Sequence, residues 1–450
     1  MKKKILYIIY ISCGLVGCFL LFLTMFLNNN KLEIEGTTQI NTEQSSPADV
    51  MDQYLSKNFG FRTQVISFYT RLQDNLFSTS SIDDVIIGKE GFLYYKDTVD
   101  DYCGTNKMST RAIYNTSKTL KLMQENINLR NGKMLFVVAP NKNSLYDYMP
   151  FYYEKSLEQS NWERLEQELD KVSYLDSFQL FRSKDECLYY KTDTHWNDLG
   201  AYAIFEQSLT LLDKPIYHKD VSNSFKDFAM VGDLQRMLYP GAKPNESQFV
   251  VDSTPDYQLL TNTRNFEQPY IETQNLNQKG SLLMFRDSFA NNLIPHFSNQ
   301  FQYAVYDKNI PYNLETIDKY NADTVIFEIA ERNLNLIQES TPLFQAPVRD
   351  NLIRNNLTNE LKKDLVKKIQ FEKTNDWIKI SGVLEQKDIN AHSRIFLKTN
   401  GETYELTPQK IDGNEYGFCG YFKKIDSTKS IEIFVESTKV NVFYHSASYE

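Results

Sequence analysis

Apolar and polar residues alternate with different periods along this chain, and the changes of period divide it into elements. Residues Ile5 to Leu27 are almost unbroken apolar, flanked by Lys2, Lys3 and Lys4 before and Asn28-Asn29-Asn30-Lys31 after. A run of that length spans a bilayer as a helix. Lysines on its amino side keep the N-terminus cytoplasmic and export the remainder of the chain, so residues 1–27 are predicted to be a single-pass anchor with the rest outside the cell membrane. A cleaved signal peptide would have a shorter apolar core ending in a small-x-small site. Leu15-Val16-Gly17-Cys18 looks like a lipobox, but Phe19-Leu20-Leu21-Phe22 comes next where a lipoprotein turns polar.

Residues 28–50 carry Asn, Thr, Glu, Gln and Ser without apolar periodicity and read as a flexible linker. From Met51, helical spacing of Tyr54, Leu55, Phe59, Val65, Ile66, Tyr69, Leu72 and Leu76 suggests two short amphipathic helices. Ile82 to Tyr95 reads as two short strands about a turn, Ser109 to Asn128 as a helix stopped near Gly132, and Met134 to Pro140 as a strand covered on both faces. A helix near Glu163 to Val172, a strand at Ser173-Tyr174-Leu175 and a helix over Asp198 to Leu212 come after it. Further strands are expected at Ser281 to Phe285, Tyr303 to Tyr306 and Thr324 to Ile329. Strands alternating with helices predict an α/β unit over 51–365 with a doubly wound, mostly parallel sheet. Residues His218 to Lys279 are polar and irregular, and are expected to form loops over one end of the sheet, where such folds place their sites.

Beyond Val366 the period shortens to alternating runs, Trp377 to Ser381, Arg394 to Leu397, Gly417 to Phe422, Ser430 to Val435 and Val440 to Tyr444. These predict an all-β sandwich over 366–450, a candidate carbohydrate-binding module. Trp377 and Tyr421 are its candidates for stacking on sugar rings, with core positions as the competing reading.

The 450 residues carry a net charge of −9 and no basic run outside the first residues, which argues against nucleic acid as a partner. Of five cysteines, Cys13 and Cys18 lie in the anchor. Cys103, Cys187 and Cys419 are odd in number and lack metal-ligand spacing, so neither a disulfide framework nor a zinc site is indicated.

Two segments carry candidate chemistry. In Lys191-Thr192-Asp193-Thr194-His195-Trp196-Asn197, an extended backbone would place Asp193 and His195 on one side, with Trp196 turned inward and Asn197 capping the next helix. A carboxylate beside an imidazole fixes its tautomer and stabilises the imidazolium. In Leu282 to Asn292, an apolar strand ends at Arg286-Asp287-Ser288 and a helix is expected after it. That puts Ser288 at a strand-to-helix turn, near backbone N–H groups that could stabilise an oxyanion. Taken singly, the first segment also fits a structural hydrogen-bonded pair and the second a helix cap. None of His218, His296, His392 and His445 has an aspartate two residues before it, so few pairings can supply a base to a serine nucleophile.

Asp193-Thr194-His195-Trp196 followed by Asp287-Ser288-Phe289 resembles the SGNH-hydrolase-like domain of the alginate O-acetyltransferase family, the AlgX and AlgJ type. Phe59-Gly60-Phe61-Arg62, Ile87 to Tyr94, Gly232 to Leu238 and Glu328 to Arg332 add to the resemblance, in the same order. It implies a circularly permuted SGNH arrangement, with the Asp/His block before the serine block, Ser288 as nucleophile, His195 as base and Asp193 as its orienting partner. Arg332, Asp287 and Arg286 become candidates for substrate or oxyanion contacts, and Glu331 beside Arg332 another site candidate; an ordinary salt bridge at the strand end is the alternative for the 331–332 pair. Arg286 stands where the family often has glycine. The implied activity is acetyl transfer to hydroxyls of an extracellular or cell-wall polysaccharide through a serine acyl-enzyme, needing no metal or cofactor. The implied partners are the polysaccharide and a membrane-bound O-acyltransferase that supplies acetyl. An esterase using the same triad and a non-catalytic glycan-binding scaffold are the rival readings.

Overall fold

The computed structural model describes residues 80, 82–216, 223–251, 255–262, 265–349, 360–361, 366–374, 376–385, 389–399, 401–423, 431–437 and 442–445. The expected anchor, the linker, the helices at 51–76 and the Phe59-Gly60-Phe61-Arg62 motif lie outside them. Among the described residues no helix is long and apolar enough to cross a membrane.

Strands β1 (Val85–Ile87) and β2 (Leu93–Tyr95) form the expected hairpin. The main sheet uses β3 (Lys133–Ala139) and β4 (Tyr174–Leu175), bypasses a separate hairpin of β5 (Asn223–Met230) and β6 (Glu246–Val251), and continues with β7 (Gln258–Leu259), β8 (Tyr270–Gln274), β9 (Ser281–Phe285), β10 (Tyr303–Asp307) and β11 (Thr324–Ala330). Its order is β4-β3-β11-β9-β10-β8-β7. The first five are parallel, and β8 and β7 add antiparallel at one edge.

Side-chain alternation explains why this sheet is covered twice. Met134, Phe136, Val138, Leu283, Phe285, Val325 and Phe327 enter one core with α1 (Thr110–Asn128). Leu135, Val137, Leu282, Met284, Ala304 and Ile326 enter the other with α2 (Asp198–Leu211). Each large apolar side chain so buried contributes about 1.5–3 kcal/mol, enough in sum to make the strand ends a rigid platform.

The 218–279 stretch differs from the loops expected. It contains β5 and β6, a short helix α3 (Asp233–Leu238), and β7 and β8 of the main sheet. In Tyr270–Gln274 only Ile271 and Thr273 are buried, so the segment is an edge strand whose other face is polar. That polarity hid it.

The C-terminal part is all β, as expected, its eight strands hydrogen-bonded in one continuous order in which Glu402–Ile411 pairs through its first half with Arg394–Thr399 and through its second half with Asn414–Phe422. Its middle strands Arg394–Thr399, Glu402–Ile411, Asn414–Phe422 and Trp377–Leu384 pair antiparallel in that order. The sheet packs on α1. Arg111 donates to the Ala391 and Ser393 carbonyls at 3.0 and 2.9 Å, and Asn115 to that of Glu415 at 2.8 Å. Glu405, 1 % exposed, pairs with Arg394 at 2.7 Å, Lys118 at 2.6 Å and Arg349 at 2.9 Å. Trp377 is buried edge-on to Tyr421, a core position.

Candidate active site

Asp193 and His195 are presented by a tight loop, not by an extended strand. An antiparallel bridge joins Tyr189 to Trp196, and Asn197 N–H donates to the Leu188 carbonyl at 2.8 Å. Within this loop Asp193 Oδ1 accepts both the backbone N–H of His195, at 3.0 Å, and a bond with its Nδ1 at 2.7 Å. The i to i+2 relation therefore comes from a local side-chain-to-backbone turn of the kind aspartate favours. Trp196 is fully buried, and Asn197 Oδ1 caps α2 by accepting from Gly200 N–H at 3.0 Å, both as expected.

Asp193 Oδ2 is satisfied from α3. The N–H of Asp233 donates to it at 2.8 Å, and Asp233 Oδ1 in turn accepts from Thr194 N–H at 2.7 Å. This interlock needs glycine at 232, where a Cβ would stand 2.1 Å from the Thr192 carbonyl oxygen.

Ser288 ends the turn that leaves β9. A 3-10 turn, Phe289–Asn292, comes next, and the α-helix Ile294–Gln300 begins only after it, with Pro295 in its first turn. Asp287 fixes the turn: Oδ1 accepts from Phe289 N–H at 2.9 Å, and Oδ2 from Ala330 N–H at 2.7 Å. Arg286, 3 % exposed, donates to Asn291 Oδ1 at 2.6 Å and to the Phe266 and Gln268 carbonyls at 2.9 and 2.8 Å. Of the candidate oxyanion residues, then, Asp287 and the two Nη groups of Arg286 are spent on the turn and the neighbouring loop, while Arg286 Nε is buried without a hydrogen bond. The Ser288 backbone N–H meets no acceptor among the described residues.

His195 Nε2 lies 2.9 Å from Ser288 Oγ, completing a line from Asp193 through the imidazole to the hydroxyl. Burial alone would lower the His195 pKa, but the Asp193 hydrogen bond and charge, with Asp233 and Asp287 farther off, outweigh it and raise the pKa above 6.5. Burial would likewise raise Asp193, yet the His195 bond and charge and two backbone N–H groups hold it well below the usual carboxylate range. The pair is thus poised to carry an imidazolium.

Asp193, His195 and Asp233 also form the one grouping of metal-type ligands among the described residues. The 2.7 Å between Nδ1 and Oδ1 is a hydrogen-bond distance. Ligands of one tetrahedral zinc, each about 2.1 Å from the ion, would stand about 3.4 Å apart. The grouping fits a proton relay better than a metal.

Arg332 lies just beyond β11. Its guanidinium sits 5.5 Å from the Tyr95 ring and 5.6 Å from Phe289, whose own ring meets His195 edge-on at 4.8 Å. Among the described residues it has no ion-pair partner, and Nη1 is buried without a hydrogen bond. A salt bridge with Glu331 is therefore not its role. Glu331 points elsewhere, accepting from Asn141 N–H at 2.8 Å and Ser144 Oγ at 2.7 Å, with burial and then Asp101 pushing its pKa up to about 8. Beside Arg332 opens a cavity of about 420 Å³ whose lining includes Lys410 of the C-terminal sheet.

Residues 85–264 match the family model of the SGNH hydrolase-like domain, acetyltransferase AlgX. Over that stretch the chain is similar to the AlgX-type SGNH hydrolase-like domain. Among solved structures, similarity extends to a DHHW family protein from Eubacterium siraeum, at 17% identity over 57% of this chain and 95% of that one, TM-score 0.45. Bacillus cereus PatB1 is similar at 17% identity over 56% and 97%, TM-score 0.44. The O-acetyltransferase domain of Pseudomonas putida AlgJ is similar at 14% identity over 56% and 92%, TM-score 0.36. No curated protein sequence matches the chain.

Proposed function

We propose that this protein transfers acetyl groups to hydroxyls of an extracellular or cell-wall polysaccharide through an acetyl ester on Ser288. The observation that carries the reading is the relay Asp193, His195, Ser288, joined at 2.7 and 2.9 Å. Ser288 Oγ attacks the acetyl carbonyl of the donor while His195 Nε2 takes its proton, and Asp193 stabilises the imidazolium that results. The Ser288 N–H is free to meet the oxyanion, the role such donors serve in acyl transfer. As the carbonyl re-forms, the bond to the donor's leaving group breaks and His195 returns the proton to that group. A sugar hydroxyl then gives its proton to His195 and attacks the acetyl carbon, and Ser288 leaves as the alcohol.

The unpaired Arg332 is a binding group for donor or acceptor on this reading. A membrane-bound O-acyltransferase supplies the acetyl, and the apolar run 5–27 holds the catalytic part at the outer face of the cell membrane.

The test gives the purified soluble fragment an activated acetyl ester and then the polysaccharide. Intact-mass measurement should find one acetyl on the wild type and none on Ser288→Ala, and the adduct should pass to sugar hydroxyls faster than to water. Transfer to water alone would make the protein an esterase. No adduct at Ser288 and unchanged polysaccharide acetylation by Ser288→Ala would leave the scaffold reading.

A further inference from the structure

The loop that carries Asp193 and His195 is gripped from two sides by opposite charges. Lys142 lies just after β3 in the chain and is 4 % exposed. Its ammonium donates to three backbone carbonyls of that loop, those of Tyr190 at 3.1 Å, Lys191 at 2.9 Å and Asp193 at 2.6 Å. On the other side carboxylates take the loop's N–H groups. Glu246 accepts from Lys191 at 2.5 Å and Thr192 at 3.0 Å, and Asp233 from Thr194 at 2.7 Å. Carbonyls of 190, 191 and 193 thus point at a cation, and N–H groups of 191, 192 and 194 at anions. Bonds to charged groups are stronger than neutral ones, so this arrangement orients successive peptide groups more firmly than a turn alone would.

A buried lysine is normally explained by a carboxylate partner. Lys142 has none within ion-pair distance among the described residues. The charged and titratable groups facing it are Asp193, Asp233, Glu246 and Cys187, with the rings of Tyr94 and Phe92 at 5.5 and 6.0 Å. Its charge is solvated by the very peptides that set where Asp193 and His195 stand.

We infer that Lys142 is a positioning residue for acyl transfer: through the three carbonyls it binds, it holds Asp193 and His195 in line with Ser288. The inference rests on the triad reading for its catalytic part only. Burial, opposed by the Asp193, Asp233 and Glu246 charges, lowers the Lys142 pKa to about 8. Above that pH the amine keeps two N–H donors for three carbonyls and loses its charge, so the clamp relaxes in mildly alkaline solution.

The test compares the wild type with Lys142→Met and Lys142→Arg in the full chain. With a small acetyl ester, Lys142→Met should lower kcat about 100-fold with KM nearly unchanged, as expected for a displaced base. The alkaline limb near pH 8 should vanish from its residual rate and move upward in Lys142→Arg. Independently of turnover, NMR titration of the His195 ring should show its midpoint falling toward 6.5 in Lys142→Met, because an Asp193 no longer held by the clamp raises it less. A midpoint and alkaline limb unchanged in both variants would overturn the inference, leaving Lys142 a packing residue. Should Lys142→Met not fold, the displaced alkaline limb and a near-native His195 midpoint in Lys142→Arg decide it. A wild type that turns over no ester would sink the acetyltransferase reading, while the His195 titration would still judge the clamp.

Discussion

His195 Nε2 and Ser288 Oγ meet at 2.9 Å although 93 residues separate them in the chain. The loop of His195 rests on Asp233 and Lys142, whereas Ser288 is fixed by Asp287 at the end of β9. The two segments also meet directly, Asn292 Nδ2 donating to the Trp196 carbonyl at 3.1 Å and Phe289 packing edge-on against His195, so the pair exists only in the packed molecule. Ser288→Ala and His195→Ala should each cost at least about 10³-fold in acetyl-ester turnover, and the double variant little more, because the two act as a unit. Steady-state kinetics on the three variants, with circular dichroism to verify folding, measures this. Additive losses would separate the two residues.

The acidic limb of activity should lie above pH 6.5. Burial works against protonation of His195, but the Asp193 bond and charge win, so the imidazole stays protonated to higher pH than a free histidine. The neutral form needed to take the Ser288 proton therefore accumulates only as pH rises past that midpoint. Asp193→Asn removes the raising contribution and leaves the burial, so the limb should shift below 6.5 while the maximal rate falls. Because the two groups titrate together, the midpoint read from kcat/KM belongs to the pair. A limb that stays in place in Asp193→Asn would show that another group sets it.

The sequence is most legible where one physical cause dominates. Apolar runs at Leu135 to Val138, Leu282 to Phe285 and Val325 to Phe327 are the buried parallel strands, and the expected boundaries fall within a residue or two of those observed. The Asp193-x-His195 pair and Ser288 are visible by residue type and spacing, although a side-chain-bonded loop, and not the expected extended segment, presents the pair. Lys142 is invisible: in Asn141-Lys142-Asn143 it looks like any solvated loop lysine, and only tertiary packing buries it. Asp233 belongs to a recognised motif, but its bonds to Thr194 and Asp193 cross 39 and 40 residues and leave no local trace. In the C-terminal part alternation reports one buried face per strand and not how strands join, so the pairing order of the eight strands left no trace in the pattern.

Glu405 should decide whether the C-terminal sheet stays attached. Burial would raise its pKa, but Arg394, then Lys118, bring it to about 2. At Lys118 burial outweighs the pair and its pKa is lowered, so the arginines are the firmer partners. A carboxylate depressed from 4.5 to about 2 adds stability that is complete above pH 4.5 and is lost as pH falls from there toward 2. Glu405→Gln strands buried cations and should cost about 3–5 kcal/mol at pH 7. Urea unfolding at pH 7 and pH 3 should show the gap between variant and wild type narrowing at the lower pH. An equal gap at both would mean that packing, not charge, holds the seam.

Gly232→Ala offers a disturbance of the site that substitutes no catalytic side chain. The φ of −64° at Gly232 suits alanine, so no backbone strain is introduced there. The obstacle is contact: the new Cβ would stand 2.1 Å from the Thr192 carbonyl oxygen and 2.6 Å from the Asp193 nitrogen, and real side chains do not tolerate either. Either the start of α3 or the Asp193 loop must withdraw by about 1 Å, since a carbon meets oxygen no closer than about 3.3 Å. Withdrawal stretches the 2.8 Å bond from Asp233 N–H to Asp193 Oδ2, loosening the carboxylate that orients His195. The expected result is a loss of about 1–3 kcal/mol in stability, typical of overpacking, together with a fall of about 100-fold in kcat at little-changed KM. The same substitution should also move the His195 midpoint toward 6.5, because a looser Asp193 raises it less. Full activity with only the stability loss would show that the α3 contact supports the fold and not the relay.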